Sequence, residues 1–282
     1  MVVHLPPGAG RPKRDAVDVV RTRIWFQAVK VRSGLRSAHA IEAFINDRLS
    51  GEDVDTSHRP RKWYSYRNGS RSPSAIAGKR DTVADVEALF PGTARWYHHP
   101  FWKVLKREGT DPHVLRVFML DLDPEVVEIL YTTDEHGALD PLRLKAFRIS
   151  DVQSLIDLGS FDALAAVVLL AMKEDANVGF GWRDFYLDAY QALQPVVAEL
   201  PELVNDFPEL FDLTDKVCQR MRTTSQYDDS PACKPWRELP WVKARQNPLG
   251  VGRVPVAHSI KGWPWFDEDP YDRTPYREPP DL

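Results

Sequence analysis

Cysteine is nearly absent: Cys218 and Cys233 are the only two in 282 residues. Their separation matches no metal-ligand spacing, and a secreted disulfide framework usually takes more. Long hydrophobic runs are missing too. The longest, Ala163 to Met172, is about half of the ~20 residues that cross a bilayer. The stretch from Met1 to Gly8 contains Pro6 and Pro7 and no apolar run of signal-peptide type. Together these absences predict a soluble, cytoplasmic protein of a reducing compartment, with no membrane partner.

Catalytic signatures are equally thin. No phosphate-cradling glycine loop, nucleophile elbow or dinucleotide fingerprint occurs, and Gly250-Val251-Gly252 lacks both a third glycine and a following helix. Strand-like runs are few, with Val114 to Leu120 and Val251 to Val256 as the candidates.

What is present is a charge split. The net charge of −4 conceals 20 Lys and Arg against 10 Asp and Glu in residues 1–107, and 17 against 31 in residues 108–282. A basic portion facing an anionic partner explains this, as does attraction between the two halves of one fold.

Helical periodicity dominates the rest. Residues 1–14, rich in Pro, Gly and Arg, are expected to be disordered. Val17, Val20, Ile24, Ala28 and Val31 mark a helix with Asp15 and Asp18 at its start, Lys30 and Arg32 at its end, and Gly34 as its stop. Ser37 caps a second helix with the stripe Ile41, Phe44, Ile45 and Leu49. A third runs from Ser57 to about Asn68, and a fourth starts at the capping pair Thr82 and Asp85 and ends at Pro91-Gly92. Asp123-Pro124 and Ser150-Asp151 open further helices. Phe161 to Met172, apolar nearly all round, predicts a buried central helix, followed by an amphipathic one from Trp182 to Leu200. Leu200-Pro-Glu-Leu and Phe207-Pro-Glu-Leu look like two helix starts.

From Tyr227 the helical period is lost, yet the tail holds four of the nine tryptophans and 10 of the 23 prolines. Disordered segments are poor in aromatics, so this tail is expected to pack on the helical body in extended form. The fold expected is mainly α. It comprises a disordered 1–14, a basic helical domain at 15–107, an acidic helical domain at 110–226 and a Pro/Trp-rich extended tail at 227–282.

One stretch stands out chemically. Residues 56–80 hold seven Lys and Arg and no acidic residue. Trp63 and Tyr66, three apart, can dock inward on the second helix and anchor the third. That leaves Arg59, Arg61, Lys62, Ser65, Arg67, Asn68 and Arg71 on the other side, with Lys79 and Arg80 further along. Arg and Lys meet phosphates or guanine edges and Asn meets adenine, so this set suits duplex DNA. The plain reading is a solvated cationic helix face over core aromatics.

The segment resembles the recognition-helix end of Cro/λ-repressor-type helix-turn-helix domains. The matching residues are Trp63, Tyr66, Asn68-Gly69, Arg71 and Pro73-Ser74, then Val83, Val86 and Leu89, within about residues 37–90. The resemblance implies a helical bundle, helix-turn-helix-like at its core, with Ser57 to Arg67 facing DNA.

The function expected is non-enzymatic DNA binding, as a regulator or a component of a DNA-associated complex. No catalytic residue, metal or cofactor is expected, and the acidic half would bind protein or a second copy of itself. One alternative is a scaffold or adaptor whose basic face meets an acidic protein. Another is a metal-dependent hydrolase using Asp121 or Asp123 at the end of the candidate strand Val114 to Leu120. His98, His99 and His113 lack a completing ligand. The trio Cys218, Cys233 and His258 needs a proximity that spacing does not supply.

Overall fold

The computed structural model describes residues 14–50, 62–73, 81–108, 111–133, 139–145, 148–177, 180–223, 236–239 and 242. The chain is mainly α and divides into two compact units, residues 1–98 and 99–282. No described helix is long and apolar enough to cross a membrane.

The first unit contains α1 (Ala16–Ser33), α2 (Ala38–Ser50), α3 (Lys62–Arg67), α4 (Thr82–Leu89) and α5 (Thr93–His98). Asp15 caps α1 by accepting the Val17 amide at 2.8 Å, and Gly34, at φ 68°, closes it in the left-handed region. Both termini follow the local signals. The buried side of α1 is wider than its periodic stripe: Trp25, Phe26 and Val29 are buried with Val17, Val20, Ile24 and Ala28, while Val31 is 41% exposed.

Ser37 caps α2 through the Ala40 amide. The cap of α4 lies one residue before the expected pair: Asp81 accepts the Val83 amide at 2.9 Å, and Thr82 is the first helical residue. Arg14, placed in the expected disordered start, is ordered by its bonds to the Gly69 carbonyl and Thr22. Residues 1–13 lie outside the described residues.

In the second unit, α10 (Phe161–Ala176) is the axis. Every residue from Phe161 to Met172 is buried, as a helix apolar on all sides requires. Packed on it are α11 (Phe180–Val197), α7 (Pro112–Leu120), α8 (Pro124–Leu130), α9 (Ile149–Leu158) and α12 (Phe207–Thr223). The short aromatic helix α6 (Phe101–Leu105) belongs to this unit, not to the basic domain expected to end at 107. Its Phe101 and Trp102 rings lie 5.7 Å from Phe161.

Three local expectations are corrected. Val114 to Leu120, a candidate strand, lies within α7: Asp111 caps it, Pro112 suits its first turn, and Leu115, Phe118 and Met119 form a helical buried stripe. Leu200-Pro-Glu-Leu makes one turn, closed by Leu203 and Val204 amides on the Leu200 carbonyl, before α12 starts at Phe207. A two-stranded antiparallel hairpin, β1 (Tyr131–Thr133) with β2 (Leu139–Leu144), has no clear sequence signal. Pro141 and Asp140 inside β2 argue against a strand locally, yet Tyr131 pairs with Leu144 and Thr133 with Leu139, and the buried Tyr131 donates its hydroxyl to the Arg116 carbonyl. Burial pushes that phenol up to about 12. The other candidate strand, Val251 to Val256, lies outside the described residues.

Candidate nucleic-acid interface

The stretch around α3 is built from its aromatics outward. Trp63 and Tyr66 are 2% and 1% exposed, and their rings close an aromatic cluster against α1. Trp25 stacks on Trp63 at 5.7 Å and 22°, and meets Tyr66 and Tyr97 edge-on at 5.5 and 6.1 Å. Phe26 adds a fourth edge to Trp63 at 6.3 Å. The anchor expected of Trp63 and Tyr66 is therefore present, with α1 carrying most of the ring contacts.

Both ends of α3 are held by named groups. At its start, the Glu42 carboxylate of α2, 8% exposed, takes the backbone N–H groups of Lys62 and Trp63. Burial pushes that carboxyl up, against the pull of these donors. At its end, the Gly69 amide donates to the Tyr66 carbonyl and the Ser70 amide to the Ser65 carbonyl, both at 2.9 Å. This is the double closure of a Schellman motif, with Gly69 at φ 67°.

Gly69 also fits a tight approach. A Cβ there would lie 2.7 Å from both Cγ1 and the carbonyl oxygen of Val19. The Arg14 guanidinium fastens the same turn by donating to the Gly69 carbonyl while reaching Thr22 Oγ1 at 2.8 Å. Further along, Ser72 Oγ and the Tyr97 hydroxyl lie 2.8 Å apart, and Arg21 lies 4.4 Å over the Tyr97 ring while pairing with Asp18 at 2.6 Å. Residues 66–72 are thus pinned to α1 and α5 by backbone and polar contacts. Gly69→Ala is expected to lower stability by about 1–2 kcal/mol from the left-handed backbone alone, more if Val19 does not yield. A urea titration against wild type reads this directly.

The expected contact residues divide accordingly. Arg67, Asn68 and Arg71 are exposed, and among the described residues no carboxylate pairs with either arginine. Arg67 lies 5.5 Å over the ring of Tyr64, which is itself 41% exposed. Lys62 instead turns into the fold: its ammonium donates to Thr82 Oγ1 at 2.7 Å and sits 5.8 Å from the Tyr66 ring. Ser65 is half-buried, and its carbonyl takes Ser70 Oγ as well as the Ser70 amide. Arg59, Arg61, Lys79 and Arg80 lie outside the described residues.

Several nearby carboxylates are committed to structural tasks. Asp15 and Asp81 cap helices, Asp18 pairs with Arg21, and Glu87 takes the Gly92 and Ala94 amides at 2.7 and 2.6 Å. Burial raises the Glu87 carboxyl, but these donors and Thr93 outweigh it and hold it below its usual range. Tyr64, a core aromatic on the plain reading of the sequence together with Trp63 and Tyr66, is 41% exposed, and the roles of Arg14 and Glu42 have little evident sequence signal. Only the position of Glu42 in the first turns of α2 hinted at a buried carboxylate, and its partner lies 20 residues away.

Of the other chemical candidates, Asp123 and His99 hold local structure. Asp121 ends α7, and Asp123 starts α8 by accepting the Glu125 amide at 3.2 Å, so no strand presents them. His99 is buried, accepts the Phe101 amide at Nδ1 and lies 3.2 Å from Asp162, whereas His98 and His113 are exposed. Among the described residues no group of three His, Cys, Asp or Glu could hold a metal ion. Cys218 is buried, and Cys233 and His258 lie outside the described residues.

The fold and this site define a mainly α, two-unit protein with an exposed cationic turn, held by hydrogen bonds, at the end of a short helix. No family model, curated protein or solved structure matches the chain.

Proposed function

We propose that the first unit binds duplex DNA without catalysing a reaction, and that the end of α3 and the turn after it form the contact. The observation that carries this reading is the exposed trio Arg67, Asn68 and Arg71 on a turn pinned by Gly69, Arg14 and Ser72. A preorganised cationic turn contacts phosphates with little ordering cost, and Asn68 is the residue proposed to read a base edge. The seven basic and no acidic residues of 56–80 extend the same field, with Arg59, Arg61, Lys79 and Arg80 as further phosphate contacts. Lys62 and Ser65 act here through the fold that presents the turn. The helix-turn-helix likeness is part of the same proposal, with α3 proposed as its recognition helix. The acidic second unit is the surface proposed for a protein partner or a second copy.

Titration of the full chain with random-sequence duplex tests this. Binding weakens with salt, and Arg67→Ala/Arg71→Ala lowers the slope of log affinity against log salt by about 2 while the thermal midpoint holds. Adding Asn68→Ala changes preference among sequences more than affinity for random duplex. Salt-independent binding, or a double variant with wild-type slope, removes the DNA reading. Capture of an acidic protein through the same arginines would then favour the adaptor.

A further inference from the structure

A second recognition geometry lies on α12, against which Trp236 and Arg237 pack. Phe207 and Phe211, one turn apart, form an aromatic shelf, and Asp212 and Asp215 stand beside it. The Trp236 ring rests on this shelf, 5.7 Å from Phe207 and 6.0 Å from Phe211, both near edge-on. Its indole N–H donates to Asp212 Oδ1 at 2.7 Å and its backbone N–H to Asp215 Oδ2 at 2.9 Å. The remaining Asp215 oxygen takes the buried Tyr190 hydroxyl at 2.9 Å. Arg237 then donates from Nη2 to Asp212 Oδ2 at 2.7 Å and from Nε to Oδ1 at 3.2 Å, with its guanidinium 4.7 Å over the Trp236 ring.

These contacts read a tryptophan followed by an arginine. The indole and the backbone amide of Trp236 each meet a carboxylate oxygen, and the guanidinium meets Asp212 through two nitrogens, a geometry that lysine does not reproduce. The segment supplies little structure of its own. It is a single 3-10 turn, Trp236–Glu238, followed by Leu239 and Val242, both buried. Burial raises the Asp212 carboxyl, yet the bonds from Arg237 and Trp236 outweigh it and hold it below its usual range. The described contacts of this segment fall on α12, while α10 packs chiefly on α11.

We propose that the α12 notch formed by Phe207, Phe211, Asp212 and Asp215 is a docking site for a Trp-Arg dipeptide. In this chain Trp236-Arg237 fills it as a detachable latch. The latch is independent of DNA binding by the first unit. When it leaves, two adjacent carboxylates and two phenyl rings are uncovered. Twelve residues, 224–235, separate α12 from the latch. The local concentration of the latch at its notch is therefore on the order of millimolar, and a free peptide must compete with that.

The test uses the full-length chain and a fluorescent peptide of residues 234–242. Wild type takes up the peptide weakly, because the latch occupies the notch. Trp236→Ala/Arg237→Ala, which empties it, binds the peptide saturably and at least about tenfold more tightly, and adding Asp212→Ala to that chain removes the binding. Amide exchange gives an independent reading through Arg237→Ala, a change at an exposed side chain. Exchange over residues 236–239 quickens about tenfold or more while that of α10 stays as in wild type. Three results overturn the latch: an emptied, helical chain that ignores the peptide; exchange over 236–239 that rises only together with α10; or an emptied chain that loses its helical signal. The last would make the segment part of the core.

Discussion

Trp63→Ala lowers the stability of the first unit by about 3–5 kcal/mol, the range for truncating a fully buried large aromatic. Trp63 is 2% exposed and touches Trp25, Phe26 and Tyr66 by ring contact, so its loss opens a cavity where α1 and α3 meet. A whole domain has only about 5–15 kcal/mol to lose. The variant should therefore unfold in urea well before wild type, and the DNA binding proposed for the first unit should vanish with the fold. The contrast is Arg67→Ala, which removes an exposed guanidinium and stays within about 0.5 kcal/mol of wild type. If Trp63→Ala melts within a degree or two of wild type, the aromatic cluster does not hold α3 in place.

The second large effect is expected at Arg183. Its side chain is 1% exposed, yet it bonds Asp184 at 2.9 Å, Asp175 at 3.3 Å and the Met221 carbonyl at 3.0 Å, joining α10, α11 and α12. Removing one member of such a group leaves the others unpaired. Asp175 and Asp184 are each about a fifth to a quarter exposed, so water relieves part of the cost. Arg183→Ala is then expected to cost about 2–4 kcal/mol at neutral pH, near the lower end for a buried pair. Arg183→Met, which restores bulk without charge, separates volume from pairing: recovery of most of the loss would assign it to packing.

The pH dependence follows with its sign. Burial already raises the Asp175 carboxyl, and Arg183 pulls it back down. Without Arg183 the folded-state value rises further above the unfolded one, so the folded protein binds the proton more readily than the unfolded chain does. The defect of Arg183→Ala is therefore largest at neutral pH and shrinks as pH falls through the folded-state value of Asp175. Urea midpoints for wild type and variant at two pH values measure this. A defect that grows in acid would contradict the role given to Asp175.

Local chemistry was readable where it acts between near neighbours. Asp15 and Gly34 bound α1, Ser37 caps α2, and an all-round apolar run makes α10. Local chemistry also misled where a partner far along the chain decided the outcome. Thr82 looked like a cap but accepts Lys62 across 20 residues, with Asp81 taking the cap. Val114 to Leu120 contains β-favouring residues, yet Asp111, Pro112 and a helical buried stripe prevail. Leu200-Pro-Glu-Leu has a helix-start signature and stops after one turn, with Leu203 buried and α12 starting afresh at Phe207.

The basic stretch shows the same division. From sequence alone follow its seven cations, its lack of acids, its inward aromatic pair and the glycine at its helix end, because composition and spacing are properties of the chain. Among the described residues, tertiary structure decided which cations stay at the surface. Arg14 reaches Gly69 across 55 residues, Lys62 reaches Thr82 across 20, and Arg67 and Arg71 remain at the surface. A lysine and an arginine side by side on one helix look alike in sequence. Whether each stays solvated depends on the hydroxyl, carbonyl or ring that folding brings within about 3 Å, and that proximity exists only after the helices have packed.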